Sequence, residues 1–469
     1  MSRRIDLGKP VDPVDIAALQ KRRLMQCWSS QAGYQPIPAL SAEGCWIHTA
    51  AGRRIFDLRS AHECINLGFR HPKVVDAIRR QLESVIFVTD DFATEPTARL
   101  ADRLAQLAPG PPDKKVLFTQ SGSAAVEAAV KAARLCRYHE TFGPQSASLP
   151  NARSQYPFPY KIISRYRSWH GATAGAASLS GDPRRWFQEP STMPGVVFTP
   201  EINLYRSPFG PGSDPFEASL SFLDYQIEQE GGSGKVAALL IEPVVGSNGI
   251  IPPPPGYLQR IRKLCDQWNL LLIADETMTG LGRTGKLFAV EHDGVVPDIL
   301  VLGKALGAYC PLAATIFGPR VAAAFETNIF GHGQSHSGHA LACAAALAAL
   351  EVLLDDGLLE QSQSNGAWLG ERLQEIGMRH PCVGDIRGLG MFWTLDLVRD
   401  QASRQPLRRF TEKYERSVVN DIAEYLLRER DVYVPSDKFG IWVVPPLVAT
   451  REELCFVLEA IDDALRLAD

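Results

Sequence analysis

Two side chains that can take part in covalent or acid–base chemistry stand at the ends of apolar runs. Lys304 follows residues 299–303 (ILVLG), and Asp275 follows residues 270–274 (LLLIA). Burial disfavours the charged form of a lysine, and a neutral amine is a nucleophile toward carbonyl groups. The sequence therefore places a carboxylate and an amine at the ends of two predicted buried strands, where loops begin. The amine is suited to forming a Schiff base.

A third apolar run is followed by a turn and the start of a predicted helix, which together could bind an anion. Residues 116–119 (VLFT) precede the turn Ser121-Gly122-Ser123, and an alanine-rich pattern of helical period follows. Backbone N–H groups at the start of a helix bind anions. An amine for an aldehyde, a carboxylate for a ring nitrogen and a helix start for a phosphate together describe a pocket for pyridoxal 5'-phosphate.

Short apolar runs alternate with helical patterns through the middle of the chain. The predicted strands cover residues 116–119, 160–164, 196–199, 236–241, 270–274, 299–302 and 313–316. Such alternation is typical of an α/β fold with a mostly parallel sheet covered by helices. Ligands of such sheets bind outside the carboxyl ends of the strands, which is where Ser121, Asp275 and Lys304 lie.

The length of 469 residues predicts two domains. We expect residues 1–65 to be an N-terminal segment of a small domain, with two strands around a glycine turn at residues 45–58. Residues 66–339 are expected to form a large cofactor-binding domain. Residues 340–469, which begin with a long helix, are expected to complete the small α+β domain, and residues 144–159 to form a loop.

Composition and charge point to small-molecule partners. The net charge is -4, and lysine and arginine are scattered along the chain, which argues against nucleic acid as a partner. The nine cysteines include no Cys-x-x-Cys pair, a usage that fits a reducing cytoplasm. The N-terminus lacks an apolar signal region, and the longest apolar run, residues 340–350, is too short to span a bilayer. A cytoplasmic protein without a membrane segment is expected.

Several ordered motifs give the chain a family resemblance. They are residues 121–131 (SGSAAVEAAVK), 168–171 (SWHG), 242–243 (EP), 271–285 (LLIADETMTGLGRTG), 303–305 (GKA) and 335–339 (SHSGH). From about Trp46 to Leu447 the chain resembles the class III pyridoxal-phosphate-dependent aminotransferases, which have fold type I. The resemblance implies a large domain with a mostly parallel seven-stranded sheet, and a smaller α+β domain built from both chain ends.

The resemblance also implies which residues hold the cofactor. The candidates for cofactor binding are Ser121, Gly122, Ser123, Trp169, His170, Glu242, Asp275, Met278, Lys304 and Ser335. Among these, Lys304 is expected to form the Schiff base and to shuttle a proton, and Asp275 to keep the ring nitrogen protonated. Ordinary structural roles remain open for several of them: an N-cap serine, a core tryptophan and an aspartate that caps a turn.

Ser335 stands where the family places a threonine or serine that reaches the phosphate of the neighbouring subunit, which implies a homodimer. Met278 stands where many members have a glutamine, and a thioether is a weaker partner for the cofactor's phenolic oxygen. Together with residues 242–249 (EPVVGSNG) and 181–185 (GDPRR), Met278 resembles the taurine and omega-amine:pyruvate branch. Trp28 and Arg387 are the candidate substrate contacts, and Arg283 is a second candidate for binding a carboxylate.

The resemblance predicts a ping-pong transfer of an amino group from a primary amine or omega-amino acid to a 2-oxo acid, with pyruvate favoured. An aminomutase, a racemase or a decarboxylase would share Lys304 and Asp275. Residues 280–285 (GLGRTG) fit the glycine pattern of a nicotinamide-dependent oxidoreductase, but residues 275–279 separate them from the preceding strand. A metal site on His332, His336 and His339 is not expected, because glycines interrupt the segment and no carboxylate is near.

Overall fold

A computed structural model describes residues 13–143, 158–210, 212–412, 415–435 and 439–469. Most of the predicted loop at residues 144–159 therefore lies outside the described residues. The strands, numbered in chain order, are β1 Ala39–Glu43, β2 Trp46–Thr49, β3 Arg54–Asp57, β4 Lys115–Thr119, β5 Lys161–Arg165, β6 Val196–Thr199, β7 Val236–Ile241, β8 Leu271–Asp275, β9 Ile299–Leu302, β10 Ala313–Phe317, β11 Val383–Leu389, β12 Phe392–Asp400, β13 Gln405–Pro406, β14 Val432–Tyr433 and β15 Gly440–Val443.

The right-handed helices are numbered separately, also in chain order. They are α1 Pro13–Arg23, α2 Pro72–Leu82, α3 Glu95–Leu107, α4 Gly122–Phe142, α5 Ala174–Ser178, α6 Pro215–Gln229, α7 Tyr257–Gln267, α8 Pro319–Ala323, α9 Ala340–Asp355, α10 Leu358–Gly377, α11 Val418–Glu429 and α12 Arg451–Leu465. Within the described ranges, no helix is long and apolar enough to cross a lipid bilayer.

The central sheet has seven strands in the order β4-β10-β9-β8-β7-β5-β6. Only β10 runs against its neighbours, and the remaining strands point the same way. Every residue of β7, β8 and β9 is buried, as expected for parallel strands covered on both faces. The seven strands predicted from the sequence are confirmed, with end points that differ by at most one residue. The predicted α/β class with a mostly parallel seven-stranded sheet is confirmed as well.

Two smaller sheets use residues from both ends of the chain. The strands β1, β2 and β3 form an antiparallel meander, and β14, from the C-terminal part of the chain, pairs with β3 in parallel. The other small sheet joins β11, β12, β13 and β15. The helix α9 packs on α2 and α3, and α4 packs on β9 and β10. The domain boundaries at residues 65 and 339 remain a proposal.

A four-residue turn between β3 and α2 has an unusual backbone. Ser60, Ala61, His62 and Glu63 all have positive φ, between 46° and 62°, although none is glycine. For L-residues this left-handed conformation is unfavourable, and it persists only where the surroundings hold it. The turn contributes directly to the candidate site.

Candidate active site

The carboxyl ends of the parallel strands open onto one cavity. The strands β4, β5, β7, β8 and β9 point the same way, so the loops that follow them meet at the same edge of the sheet. The residues that line the cavity are Gly122, Ser123, Trp169, His170, Gly171, Glu242, Asp275, Thr277, Met278 and Lys304. The structure thus brings together most of the residues that the sequence analysis selected.

Lys304 begins a short 3-10 turn, Lys304–Gly307, directly after β9 and Gly303. Its φ of 43° is positive, and its side chain is 24% exposed. The Nζ atom donates a hydrogen bond to Oε2 of Glu63 at 2.5 Å. The amine therefore enters the cavity paired with a carboxylate that the sequence analysis did not select.

Asp275 is the last residue of β8, and its carboxylate is anchored by two neighbours. Oδ2 lies 2.8 Å from Nδ1 of His170, and Oδ1 accepts hydrogen bonds from N and Oγ1 of Thr277 at 3.0 and 2.5 Å. A carboxylate has about four acceptor positions. With the ring proton of His170 on Nδ1, three are used and one stays open for a donor in the cavity.

The start of α4 combines a capped helix end with a close approach between two turns. Ser121 caps the helix, since its Oγ accepts a hydrogen bond from N of Ala124 at 3.3 Å. Ser123 Oγ accepts a hydrogen bond from N of Ala172 at 3.2 Å. Gly171 has a φ of 137°, and a Cβ there would lie 2.1 Å from Ser123 Oγ. The close contact therefore requires glycine at position 171.

Trp169 forms one wall of the cavity, and the side chains of Arg184 and Trp28 pack against its ring. The Cζ atom of Arg184 lies 3.4 Å from the centroid of the Trp169 ring, and the Trp28 ring meets Trp169 edge-on at 5.6 Å. Asp182 holds the guanidinium of Arg184 through two hydrogen bonds of 2.9 and 2.8 Å. Trp28 thus reaches the site through Trp169, and Arg184 is a contact that the sequence analysis missed.

Glu242 lines the cavity, and two backbone amides hold its carboxyl group. Oε1 accepts a hydrogen bond from N of Trp169, and Oε2 accepts one from N of Gly246, each at 2.8 Å. Burial raises the pKa of Glu242 to about 7, and the charge of Asp275 acts in the same direction. The carboxyl group therefore orients the Trp169 segment. Met278 is close by, with its Sδ 3.6 Å from Oγ of Ser247.

Arg387, Arg283 and Ser335, which the sequence analysis selected, do not line this cavity. Arg387 donates to backbone carbonyls of Gly249 and Ile250 and to the carboxylates of Asp385 and Asp396, so all its nitrogen atoms are engaged. Because of these contacts, the structure does not support Arg387 as a substrate contact. Arg283 is fully buried and donates to the carbonyls of Met391 and Pro445. Ser335 is exposed.

Two segments that the sequence offered as alternative sites, the glycine turn at residues 280–285 and the histidines near residue 336, pack against other side chains. A Cβ at Gly282 would lie within about 3 Å of Leu353 and Leu447, so the glycine turn at residues 280–285 packs closely against apolar side chains. The rings of His336 and His339 both pack on Phe87. No group of three or more histidine, cysteine or acidic side chains in the described part of the chain is placed to hold a metal ion.

Comparison with known proteins assigns the chain to a family. The model of the family "Aminotransferase class-III" matches residues 29–465. The chain belongs to the class III aminotransferases. Members of this family depend on pyridoxal phosphate, and membership confirms the sequence resemblance. It also favours amino transfer over the nicotinamide-dependent alternative.

Individual relatives match almost the whole length of this class III aminotransferase. Ornithine aminotransferase 2 from Staphylococcus saprophyticus is 32% identical over 91% of this chain and 94% of its own. The structure of the taurine:2-oxoglutarate aminotransferase from Bifidobacterium kashiwanohense, in complex with PLP and glutamate, is 33% identical. It superimposes with a TM-score of 0.89 over 98% of each chain. An (S)-enantioselective omega-transaminase from Thermomicrobium roseum is 31% identical, with a TM-score of 0.87 over 98% of this chain and all of its own.

The donor set around the cavity fits pyridoxal phosphate. An amine, a carboxylate with an open acceptor position and the capped start of a long helix face one space. A Cβ at Gly303 would lie 3.4 Å from Cα of Gly122, so the turn that carries Lys304 lies against the turn at the start of α4. Groups for an aldehyde, a ring nitrogen and a phosphate are thus held together by the backbone.

Proposed function

We propose that this class III aminotransferase moves an amino group from a primary amine or omega-amino acid to a 2-oxo acid, with pyruvate as the favoured acceptor, by a ping-pong cycle. The observation that carries the proposal is the convergence of Lys304, Asp275 and the start of α4 on one cavity. Each of these three groups belongs to a different strand end, so their meeting depends on the whole sheet.

The bound cofactor would supply an electron-withdrawing ring that stabilises charge at the donor's reacting carbon. Lys304 Nζ would bond the cofactor's aldehyde carbon and, once the donor amine has displaced it, move a proton at the donor's reacting carbon. The open acceptor position of Asp275 would take the hydrogen bond from the ring nitrogen and keep that nitrogen protonated.

The remaining residues would bind and orient the cofactor. The N–H groups at the start of α4 and the hydroxyl of Ser123 would bind the phosphate. The indole of Trp169 would cover one face of the ring, and Glu242 would fix the Trp169 segment through its two backbone hydrogen bonds. Met278 and His170 complete the lining.

The comparisons support an amine donor but leave the acceptor as a proposal. The relatives named above act, by their names, on ornithine, on taurine with 2-oxoglutarate, or as an omega-transaminase. Pyruvate, which the sequence resemblance favoured, stays the proposed acceptor, and 2-oxoglutarate, which the name of one relative includes, is the alternative to be tested beside it.

The half-reaction tests the proposed function directly. Holoenzyme mixed with an amine donor alone should convert its cofactor stoichiometrically to the pyridoxamine form, which absorbs at shorter wavelength. Pyruvate added afterwards should restore the starting spectrum. A racemase or a decarboxylase would release its product and return to the aldehyde form without any oxo acid. A panel of donors with pyruvate and with 2-oxoglutarate then ranks the acceptors, and restoration by 2-oxoglutarate alone would contradict the pyruvate assignment.

A further inference from the structure

Glu63 is a buried carboxylate that the proposed reaction does not use. Its side chain is 1% exposed, and Oε2 accepts the hydrogen bond from Lys304 Nζ. Its other oxygen, Oε1, is buried and has no hydrogen-bond partner among the described residues. A full negative charge with unused acceptor capacity therefore stands next to the amine on which the site depends.

The backbone that carries Glu63 is strained and firmly held. The carboxylate of Asp57 accepts hydrogen bonds from N of Arg59 at 3.0 Å and from N of Ala61 at 2.6 Å. Ser60 Oγ donates to O of Val444 at 2.6 Å. Strained backbone persists where the surrounding structure over-determines it, and it concentrates at functional sites. These contacts fix the direction of the Glu63 side chain.

The charge balance around Glu63 depends on Lys304. Burial alone would raise the pKa of the Glu63 carboxyl, but the charges of Lys304 and Arg59 hold that pKa below its ordinary value. Arg59 Nε is 3.9 Å from Oε1, which is beyond hydrogen-bond distance. Glu63 is thus an ionised carboxylate, and among the described residues the amine of Lys304 is the one cation that hydrogen-bonds to it.

Binding of the cofactor changes this balance. A free lysine ammonium has three N–H donors, and a nitrogen bonded to the cofactor keeps at most one. Once the donor has displaced it, Lys304 must be an uncharged amine to accept the donor's proton, so in neither state does Lys304 offer the buried carboxylate an ammonium group. The reacting amine of the donor cannot supply this ammonium group either, because its nitrogen becomes bonded to the cofactor. A second ammonium on the same donor can.

We propose that Glu63 is a specificity-determining residue that binds a second ammonium group on the amine donor. Diamines and other donors with a distal cation are then preferred over donors with a methyl group or a carboxylate in its place. This inference rests on the proposed function, because Glu63 is placed next to the reacting donor by its hydrogen bond to Lys304, which lines the cavity.

The first test compares donors that differ only at the distal group. The probes are 1,3-diaminopropane, 1,4-diaminobutane and 1,5-diaminopentane, each paired with the alkylamine in which a methyl replaces the distal ammonium. The measured quantity is the ratio of half-reaction kcat/KM within each pair. Loss of a charge-assisted hydrogen bond predicts that Glu63→Gln lowers this ratio by about 10- to 100-fold for at least one chain length.

A matched variant controls for the loss of any buried carboxylate. Glu276 is also buried, but the hydrogen bonds that its oxygens accept come from N of Val290 and from Oγ1 of Thr279 and not from Lys304. Glu276→Gln should leave the donor ratio at the wild-type value. If Glu63 acted only through Lys304, Glu63→Gln would change both members of each pair equally, and the unchanged ratio would overturn the proposal.

The second test measures binding without turnover. Lys304→Ala loaded with pyridoxal phosphate should still bind amines, and the cofactor absorbance reports the bound fraction. The diamine should bind about tenfold or more tightly than its alkylamine partner, and the double variant Lys304→Ala/Glu63→Gln should lose that preference. Equal affinities in Lys304→Ala would overturn the inference. A wild-type cofactor spectrum that no amine changes would instead mean that the proposed function itself has failed.

Discussion

Asp275 and Glu276 are adjacent carboxylates with different surroundings. Asp275 lines the cavity and keeps one acceptor position open, whereas Glu276 is satisfied by N of Val290 and the hydroxyl of Thr279. The two side chains alternate in direction at the end of β8, as consecutive residues of a strand do. Only the first is therefore placed to act on a bound ring.

Substitution of Asp275 tests this difference. Asp275→Asn should retain the cofactor, because Lys304 and the start of α4 are unchanged. It should lower kcat about 100-fold or more, because a neutral amide no longer stabilises a protonated ring nitrogen. Stopped-flow measurement of the half-reaction gives the rate. Glu276→Gln is the control and should keep most of the activity; equal rates for the two variants would contradict the assignment.

At the scale of single residues, the site residues that directly follow strands could be predicted from the sequence. Their contact partners from other parts of the chain could not. Lys304, Asp275 and Ser123 could be selected because each closes or follows an apolar run. Glu63 is 241 positions away from Lys304, and no local pattern connects the two. Arg184 lies over Trp169 for the same kind of reason, a tertiary contact between distant turns.

At the scale of elements, the site depends on turns that bring backbones into close contact. Gly171 lies against Ser123, and its φ of 137° is one that other residues rarely adopt. The turn after β5 is therefore in close contact with the start of α4, where the phosphate is proposed to bind.

Gly171→Ala should therefore weaken cofactor binding about tenfold or more, because Ser123 must move and its proposed hydrogen bond to the phosphate would be lost. Gly294→Ala is the matched control. Gly294 has a φ of 60° with open space where a Cβ would lie, so alanine there adds backbone strain of about 1 to 2 kcal/mol and no clash. Fluorescence titration of the apoprotein with cofactor measures the effect; similar affinities for both variants would contradict the role of this turn.

The seven strands could be predicted because apolar runs bounded by turns are a local signal. The direction of β10 could not, because a run such as residues 313–317 is equally compatible with parallel and antiparallel pairing. The left-handed turn at residues 60–63 also escaped prediction. Its sequence, SAHE, contains no glycine, and its conformation depends on distant contacts such as that between Ser60 and Val444.

At the scale of the whole molecule, the N-terminal and C-terminal parts of the chain share one small sheet, and the residue predicted to contact a neighbouring subunit is exposed. The pairing of β3 with β14 joins residues near both termini, as the resemblance implied. Ser335 is exposed and lies outside the cavity of its own chain. Its neighbours are fixed, since Ser337 Oγ donates to O of Phe118 at 2.6 Å and the rings of His336 and His339 pack on Phe87.

A mixed dimer tests whether Ser335 serves the neighbouring subunit. Lys304→Ala and Ser335→Glu homodimers should both be nearly inactive, the second because a carboxylate repels the phosphate. In a heterodimer of the two variants, one site would combine an intact Lys304 with an intact Ser335 from the other subunit. Activity should therefore recover to about half of the wild-type value, one of two sites. No recovery would mean that Ser335 acts within its own chain.

The bond between Lys304 and the cofactor is the central claim, and borohydride reduction followed by peptide mapping tests it most directly. Reduction of the holoenzyme should fix a pyridoxyl group on the peptide that contains Lys304, and prior incubation with an amine donor alone should prevent the labelling. A labelled peptide that lacks Lys304, or a Lys304 peptide that stays unmodified, would contradict the account.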